Sequence, residues 1–127
     1  MYFRPKILSV DDSSTMRKIV RNGVDALNYD FLEASDGREA LQVLAKEYES
    51  IKLILLDWNM PGMNGIEFLT EIKKYLIYKN IPVIMVTTQG EKSNIVKAVQ
   101  SGATNYLLKP FTTEELMNKI KQCALQD

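Results

Sequence analysis

Four places in this chain put reactive side chains directly after short apolar runs. Asp11-Asp12 follows Ile7-Leu8-Ser9-Val10, Asp57 follows Ile54-Leu55-Leu56, Thr87-Thr88 closes Ile84-Met85-Val86, and Lys109-Pro110 follows Tyr106-Leu107-Leu108. If those runs are strands, their ends bring three carboxylates, hydroxyls and one ammonium to a shared rim. Carboxylates gathered this way repel one another unless a cation neutralises them. The chain has no histidine and a single cysteine, Cys123, so the ligands are hard oxygens, which favour Mg²⁺ or Mn²⁺ over zinc. Mg²⁺ keeps several waters and combines one or two carboxylates with a phosphate, which points to phosphoryl chemistry. Lys109 offers a point charge for a phosphate oxygen, and Thr87 offers a hydroxyl donor. Singly, each residue is ordinary: an Asp after a strand most often caps a helix or turns the chain. It is their coincidence at four strand ends that carries the reading.

The elements that must position these groups follow from periodicity. Short apolar runs at 7–10, 31–34, 52–56, 82–87 and 105–108 suit strands, and the third and fourth read as continuously apolar, as strands covered on both faces do. Met16, Ile19, Val20, Val24 and Leu27 recur at helical spacing, as do Ile66, Leu69, Ile72 and Leu76. Further helices are expected near 37–48, 91–101 and 112–126. Ser13 or Ser14, Asp36, Asn64 and Thr112 are candidate N-caps, and Gly102 a C-cap. Strands alternating with helices predict an α/β protein with a parallel sheet covered on both faces, its ligands beyond the carboxyl ends of the strands.

Composition removes other classes. The 127 residues carry 16 basic and 16 acidic side chains, so no net charge attracts nucleic acid or an anionic membrane. Without histidine there is no imidazole base, ligand or phospho-acceptor, and one cysteine allows no internal disulfide. The run Ile81-Pro82-Val83-Ile84-Met85-Val86 is far short of the roughly 20 residues of a membrane span. Neither G-x-x-x-x-G-K-[ST] nor G-x-G-x-x-G occurs, and Gly62-x-x-Gly65 reads as turn chemistry around Pro61. The expectation is one cytoplasmic domain spanning residues 1–127, monomeric and without an output domain.

The strings Val10-Asp11-Asp12-Ser13-Ser14-Thr15-Met16-Arg17, Leu56-Asp57-Trp58-Asn59-Met60-Pro61-Gly62-Met63-Asn64-Gly65, Val86-Thr87 and Lys109-Pro110-Phe111 together resemble a response-regulator receiver domain. The likeness covers essentially the whole chain, including Ala34-Ser35-Asp36-Gly37 and Gly102-Ala103, and is strongest to single-domain chemotaxis receivers. It implies a flavodoxin-like (βα)5 doubly wound fold with strand order 2-1-3-4-5, an order that comes with the family and not from the residues. It also implies that Asp57 accepts a phosphoryl group from a phosphohistidine on a chemotaxis-type sensor histidine kinase. Asp11, Asp12, Asp57 and the Asn59 carbonyl would serve Mg²⁺, with Asp11 acting through water. Lys109 would bind a phosphoryl oxygen, and the Lys109-Pro110 peptide would be cis.

The resemblance further implies a switch in which Thr87 moves towards the phosphoryl group and Tyr106 turns inward. The altered surface would carry Lys92, Ile95, Val99, Tyr106, Leu108 and Lys119, apolar residues flanked by lysines that suit an amphipathic acidic segment of a flagellar motor switch protein. Asn59 and Gln89 lie two residues beyond Asp57 and Thr87, where the family tunes phosphate lifetime; here both are neutral amides. A phosphatase is a further expected partner. A relay passing phosphate to a histidine phosphotransfer domain is the alternative output. An aspartyl-phosphate phosphatase or mutase is disfavoured because its usual Asp-x-Asp and cap domain have no counterpart here. A flavin binder is disfavoured because acids occupy the place an anionic phosphate would need.

Overall fold

The computed structural model describes residues 4–88 and 92–124. Strands and helices alternate: β1 (Lys6–Val10), α1 (Ser14–Ala26), β2 (Asp30–Ala34), α2 (Gly37–Glu47), β3 (Ile51–Asp57), α3 (Gly65–Ile72), β4 (Val83–Thr87), α4 (Lys92–Gln100), β5 (Asn105–Leu108) and α5 (Thr113–Ala124). All neighbouring strands are parallel, in the order β2-β1-β3-β4-β5. This is the doubly wound, flavodoxin-like arrangement that the family resemblance implied.

Parallel pairing needs a crossover between consecutive strands, and the helices supply it on both faces. The sheet therefore has two cores. Leu53 and Leu55 of β3 pack with Val20, Val24, Leu116 and Ile120 of α1 and α5. Their neighbours Ile54 and Leu56 pack with Leu44, Phe68 and Leu69 of α2 and α3. Leu53, Ile54 and Leu56 have no solvent exposure, and truncating one such side chain to alanine costs about 2–5 kcal/mol. A continuously apolar strand is thus a requirement of its two-sided burial.

Side chains fix where the helices begin. The Ser13 hydroxyl accepts from the Met16 N–H, and the Asp36 carboxylate from the Glu39 N–H. Asn64 and Glu67 form a reciprocal capping box, as do Thr112 and Glu115. After α4, Gly102 takes φ +113°, with the Gly102 N–H on the Val99 carbonyl and the Ala103 N–H on the Ala98 carbonyl. That is a Schellman ending, which needs a residue free of Cβ strain.

One expectation from periodicity fails. Leu76 does not extend α3: the helix stops at Ile72 and Leu76 is 78% exposed. The Lys73 ammonium reaches the carbonyls of Lys79 and Ile81, folding the connection back, and Tyr78 is buried instead, edge-on to Tyr48. Ile19 is 39% exposed because the buried stripe of α1 runs through Val20, Gly23 and Val24. A Cβ at Gly23 would come within 2.7 Å of Leu116, so α1 and α5 pack backbone against side chain here. No helix among the described residues is long and apolar enough to cross a membrane.

Candidate functional site: an acidic rim with one lysine

Strand register sets the rim. Val10 pairs with Leu56, Asp57 with Val86, and Thr87 with Leu108, so Asp11, Asp57, Thr87 and Lys109 emerge at neighbouring levels. Asp11 and Asp57 are buried, at 4% and 5% exposure, whereas Asp12 is exposed. Carboxylate oxygens of Asp11, Asp12 and Asp57 lie within 4.8 Å of one another. The Lys109 ammonium bridges two of them, 3.3 Å from Asp11 Oδ2 and 3.2 Å from Asp57 Oδ1. Its backbone N–H donates to the Thr87 carbonyl at 2.8 Å, anchoring the lysine to the end of β4. The Lys109-Pro110 peptide is cis.

Burial pushes the Asp57 carboxyl above its ordinary value, and the nearby Asp11 carboxylate adds to the rise. Lys109 and the Asn59 backbone oppose it. Fully ionised, three carboxylates face one ammonium, which leaves two negative charges on a partly desolvated rim. Hard oxygen donors with that residual charge fit a small divalent cation of the Mg²⁺ kind.

Local backbone holds Asp57 in place. The Trp58 N–H donates to the Val86 carbonyl at 3.2 Å, and the Trp58 carbonyl accepts from Gly65 at 2.8 Å. A Cβ on Gly65 would sit 2.4 Å from the Asp57 carbonyl oxygen, so α3 starts against the backbone of the central acid. The turn reading of Gly62-x-x-Gly65 accounts for Gly62, at φ +74°, and misses this close approach at Gly65. Sequence reasoning also passed over Arg17, whose guanidinium bonds the Asp11 carbonyl and Glu33. The signal available was its place in the first turn after Asp11-Asp12.

The other residues named from the sequence differ in burial. Thr87 is buried at 2% exposure at the end of β4, Asn59 is exposed, and Gln89 lies outside the described residues. Tyr106 is half-buried, with the Lys119 ammonium 5.1 Å from its ring centre and 3.1 Å from Asn105 Oδ1. Lys92 is exposed, Ile95 half-buried, Val99 53% and Leu108 39% exposed. The Cys123 thiol is buried and its pKa is raised by that burial, as suits a core residue. A concavity of about 640 Å³ is lined by Arg4, Lys6, Arg21, Asp25 and Tyr29 among others, at the opposite end of the sheet from the acids. The rim itself suits a small ion and a phosphoryl group rather than a nucleotide.

Compared with known families, residues 7–121 match the response regulator receiver domain. The chain belongs to that family. A chemotaxis protein CheY homolog from Campylobacter jejuni is 44% identical over 117 residues, covering 91% of this receiver and 89% of the relative. Chemotaxis protein CheY1 of Helicobacter pylori is 43% identical, covering 91% and 94%. Among solved structures, the chemotaxis response regulator CheY4 of Vibrio cholerae superposes with a TM-score of 0.88 at 34% identity, covering 95% of this receiver and 99% of that chain. The receiver is therefore of the CheY-like chemotaxis type, within phosphorylation-based two-component signalling. Its acidic group is compatible with Mg²⁺.

Proposed function

We propose that this receiver takes a phosphoryl group from a phosphohistidine on a chemotaxis-type kinase onto Asp57 and then docks on a flagellar motor switch protein. The observation that carries the chemistry is the Lys109 ammonium bridging buried Asp57 and Asp11, with Asp12 in the same cluster.

Asp11, Asp12 and Asp57, with the Asn59 carbonyl, would hold Mg²⁺. When bound, the ion supplies positive charge to the phosphoryl oxygens. Asp57 needs no base, because it attacks as a carboxylate. One of its oxygens forms the new O–P bond while the P–N bond to the donor imidazole breaks, and that ring nitrogen leaves with the electron pair. Lys109 neutralises a phosphoryl oxygen and keeps the acceptor aligned, which is most of what phosphoryl transfer asks of a protein. The added charge on Asp57 then attracts the Thr87 hydroxyl, and Tyr106 turns into the space beside it.

The output surface would be the α4–β5–α5 face. Val99 and Leu108 expose apolar area there and Lys92 adds positive charge, which suits an amphipathic acidic segment. Asn59 and Gln89 would set how long the phosphate persists and how a phosphatase engages. The protein would act in the cytoplasm as a monomer, in which the receiver unit itself makes the output contact.

Incubation with a small phosphodonor and Mg²⁺ tests the acceptor. Asp57→Asn is expected to abolish labelling; undiminished incorporation would refute the assignment.

A further inference from the structure

Arg17 has no part in the roles above, yet its guanidinium is engaged on two sides. It lies in the first turn of α1 with a side chain only 16% exposed. Its Nη1 donates to the Asp11 carbonyl at 2.6 Å, and its Nε donates to Oε1 of Glu33, on the neighbouring strand β2, also at 2.6 Å. The Asp11 carbonyl and the Asp12 N–H belong to one planar peptide unit. Holding that carbonyl therefore fixes the plane from which both acidic side chains depart.

The other bonds on Asp11 act elsewhere. Its N–H meets the Ala34 carbonyl at 3.0 Å, and Lys109 takes Oδ2. The Ser13 N–H donates to Oδ1 at 2.9 Å and closes a tight turn around Asp12 from the far side. Arg17 and that turn together bracket Asp12, the exposed member of the acidic group. The guanidinium bonds a carbonyl and Glu33, with no ion pair to the three clustered acids, and the Glu33 carboxylate offsets its charge. A planar fork with fixed donors makes such a two-sided bridge, which a single ammonium cannot reproduce.

We propose that Arg17, tied to Glu33, is a positioning residue that sets the Asp11–Asp12 peptide for binding a divalent cation. The inference rests on the cation reading of Asp11, Asp12 and Asp57. Partners of this outer kind typically change metal affinity by about 10–100-fold when removed.

The test is a titration of Mg²⁺ alone into the folded protein, followed by the fluorescence of Trp58, the only tryptophan, with a thermal melt of each variant by circular dichroism. Arg17→Ala is expected to raise the Mg²⁺ concentration at half-response by about 10–100-fold and to reach the wild-type plateau. Arg17→Lys and Glu33→Ala each lose part of the bridge and are expected to give smaller rises. These two carry the test should Arg17→Ala not fold. A half-response equal to wild type in the folded variants, with only a lowered melting temperature, would overturn the inference and leave the cation reading intact. A wild-type protein without a Mg²⁺ response, or one whose response survives Asp12→Asn unchanged, would overturn the cation reading itself.

Discussion

Asp57 stands where burial and charge work against its own ionisation. Its carboxyl binds a proton more tightly in the folded chain than in the unfolded one, because burial and the Asp11 carboxylate outweigh Lys109 and the Asn59 backbone. Stability linked to this group is therefore highest below the unfolded value near 3.9 and falls as pH rises through the raised folded value. At pH 7 the ionised carboxylate is a standing cost. In chelator at pH 7, Asp57→Asn should be more stable than wild type, and the gap should close near pH 4. Mg²⁺ should stabilise wild type more than the variant, which keeps Asp11 and Asp12 but has lost one of the three clustered carboxylates. Urea melts at the two pH values, with and without Mg²⁺, check this; an Asn variant weaker than wild type at pH 7 in chelator would contradict it. Burial first, and the neighbouring Asp11 carboxylate second, make the acceptor costly to ionise without a cation.

At the level of elements, the β3–α3 connection decides whether the acceptor is held. Two glycines serve it in different ways. Gly62 has φ +74°, and a methyl added there would meet no heavy atom within 4 Å, so Gly62→Ala incurs only backbone strain, about 1–2 kcal/mol. Gly65 has no such dihedral demand, but an added methyl would collide with the Asp57 carbonyl and the Trp58 Cα. Gly65→Ala must displace α3 from the acceptor strand and is expected to cost about 1–3 kcal/mol while also lowering the labelling rate of Asp57. Chemical denaturation paired with a labelling time course separates them, because Gly62→Ala should lose stability alone. Equal labelling by the two variants would show that α3 does not support the site. The caps at Asp36, Asn64 and Thr112 were legible in the sequence, and that of α1 was narrowed to Ser13 or Ser14, since each precedes a helical pattern. The end of α3 was not. Leu76 keeps the helical period, yet after Lys73 the backbone bonds shift to i→i−3 turns and the Lys73 ammonium reaches the Lys79 and Ile81 carbonyls.

For the whole molecule, the signal must travel from the rim to a face that a partner can touch. β4 and β5 link the two: Thr87 and Lys109 are joined through a backbone hydrogen bond at the rim, and Tyr106 lies on β5 beneath the Lys119 ammonium. Val99→Asp puts a charge on the exposed part of α4 without touching the acids. It should weaken binding of an acidic switch-protein peptide to the beryllofluoride-treated protein by about tenfold or more, as losing an apolar contact point at an interface does. Labelling of Asp57 should stay within about twofold of wild type. Fluorescence anisotropy of the labelled peptide measures the first and phosphodonor incorporation the second. Unaltered peptide affinity would move the docking surface elsewhere.

The sequence by itself determined the alternation of strands and helices, the caps, and the placing of Asp11, Asp12, Asp57, Thr87 and Lys109 at strand ends. Those features are local: apolar period, capping chemistry and the residue that follows a run are read along the chain. Which strands lie side by side is not a local property, so convergence of the acids on Lys109 required the order β2-β1-β3-β4-β5 and its register. The tertiary structure alone decided the burial that raises the Asp57 pKa, the close approach that makes Gly65 necessary, and the bridge from Arg17 to Asp11 and Glu33. Each joins segments distant in the chain or depends on exclusion of water, and neither condition is written in the spacing of residues.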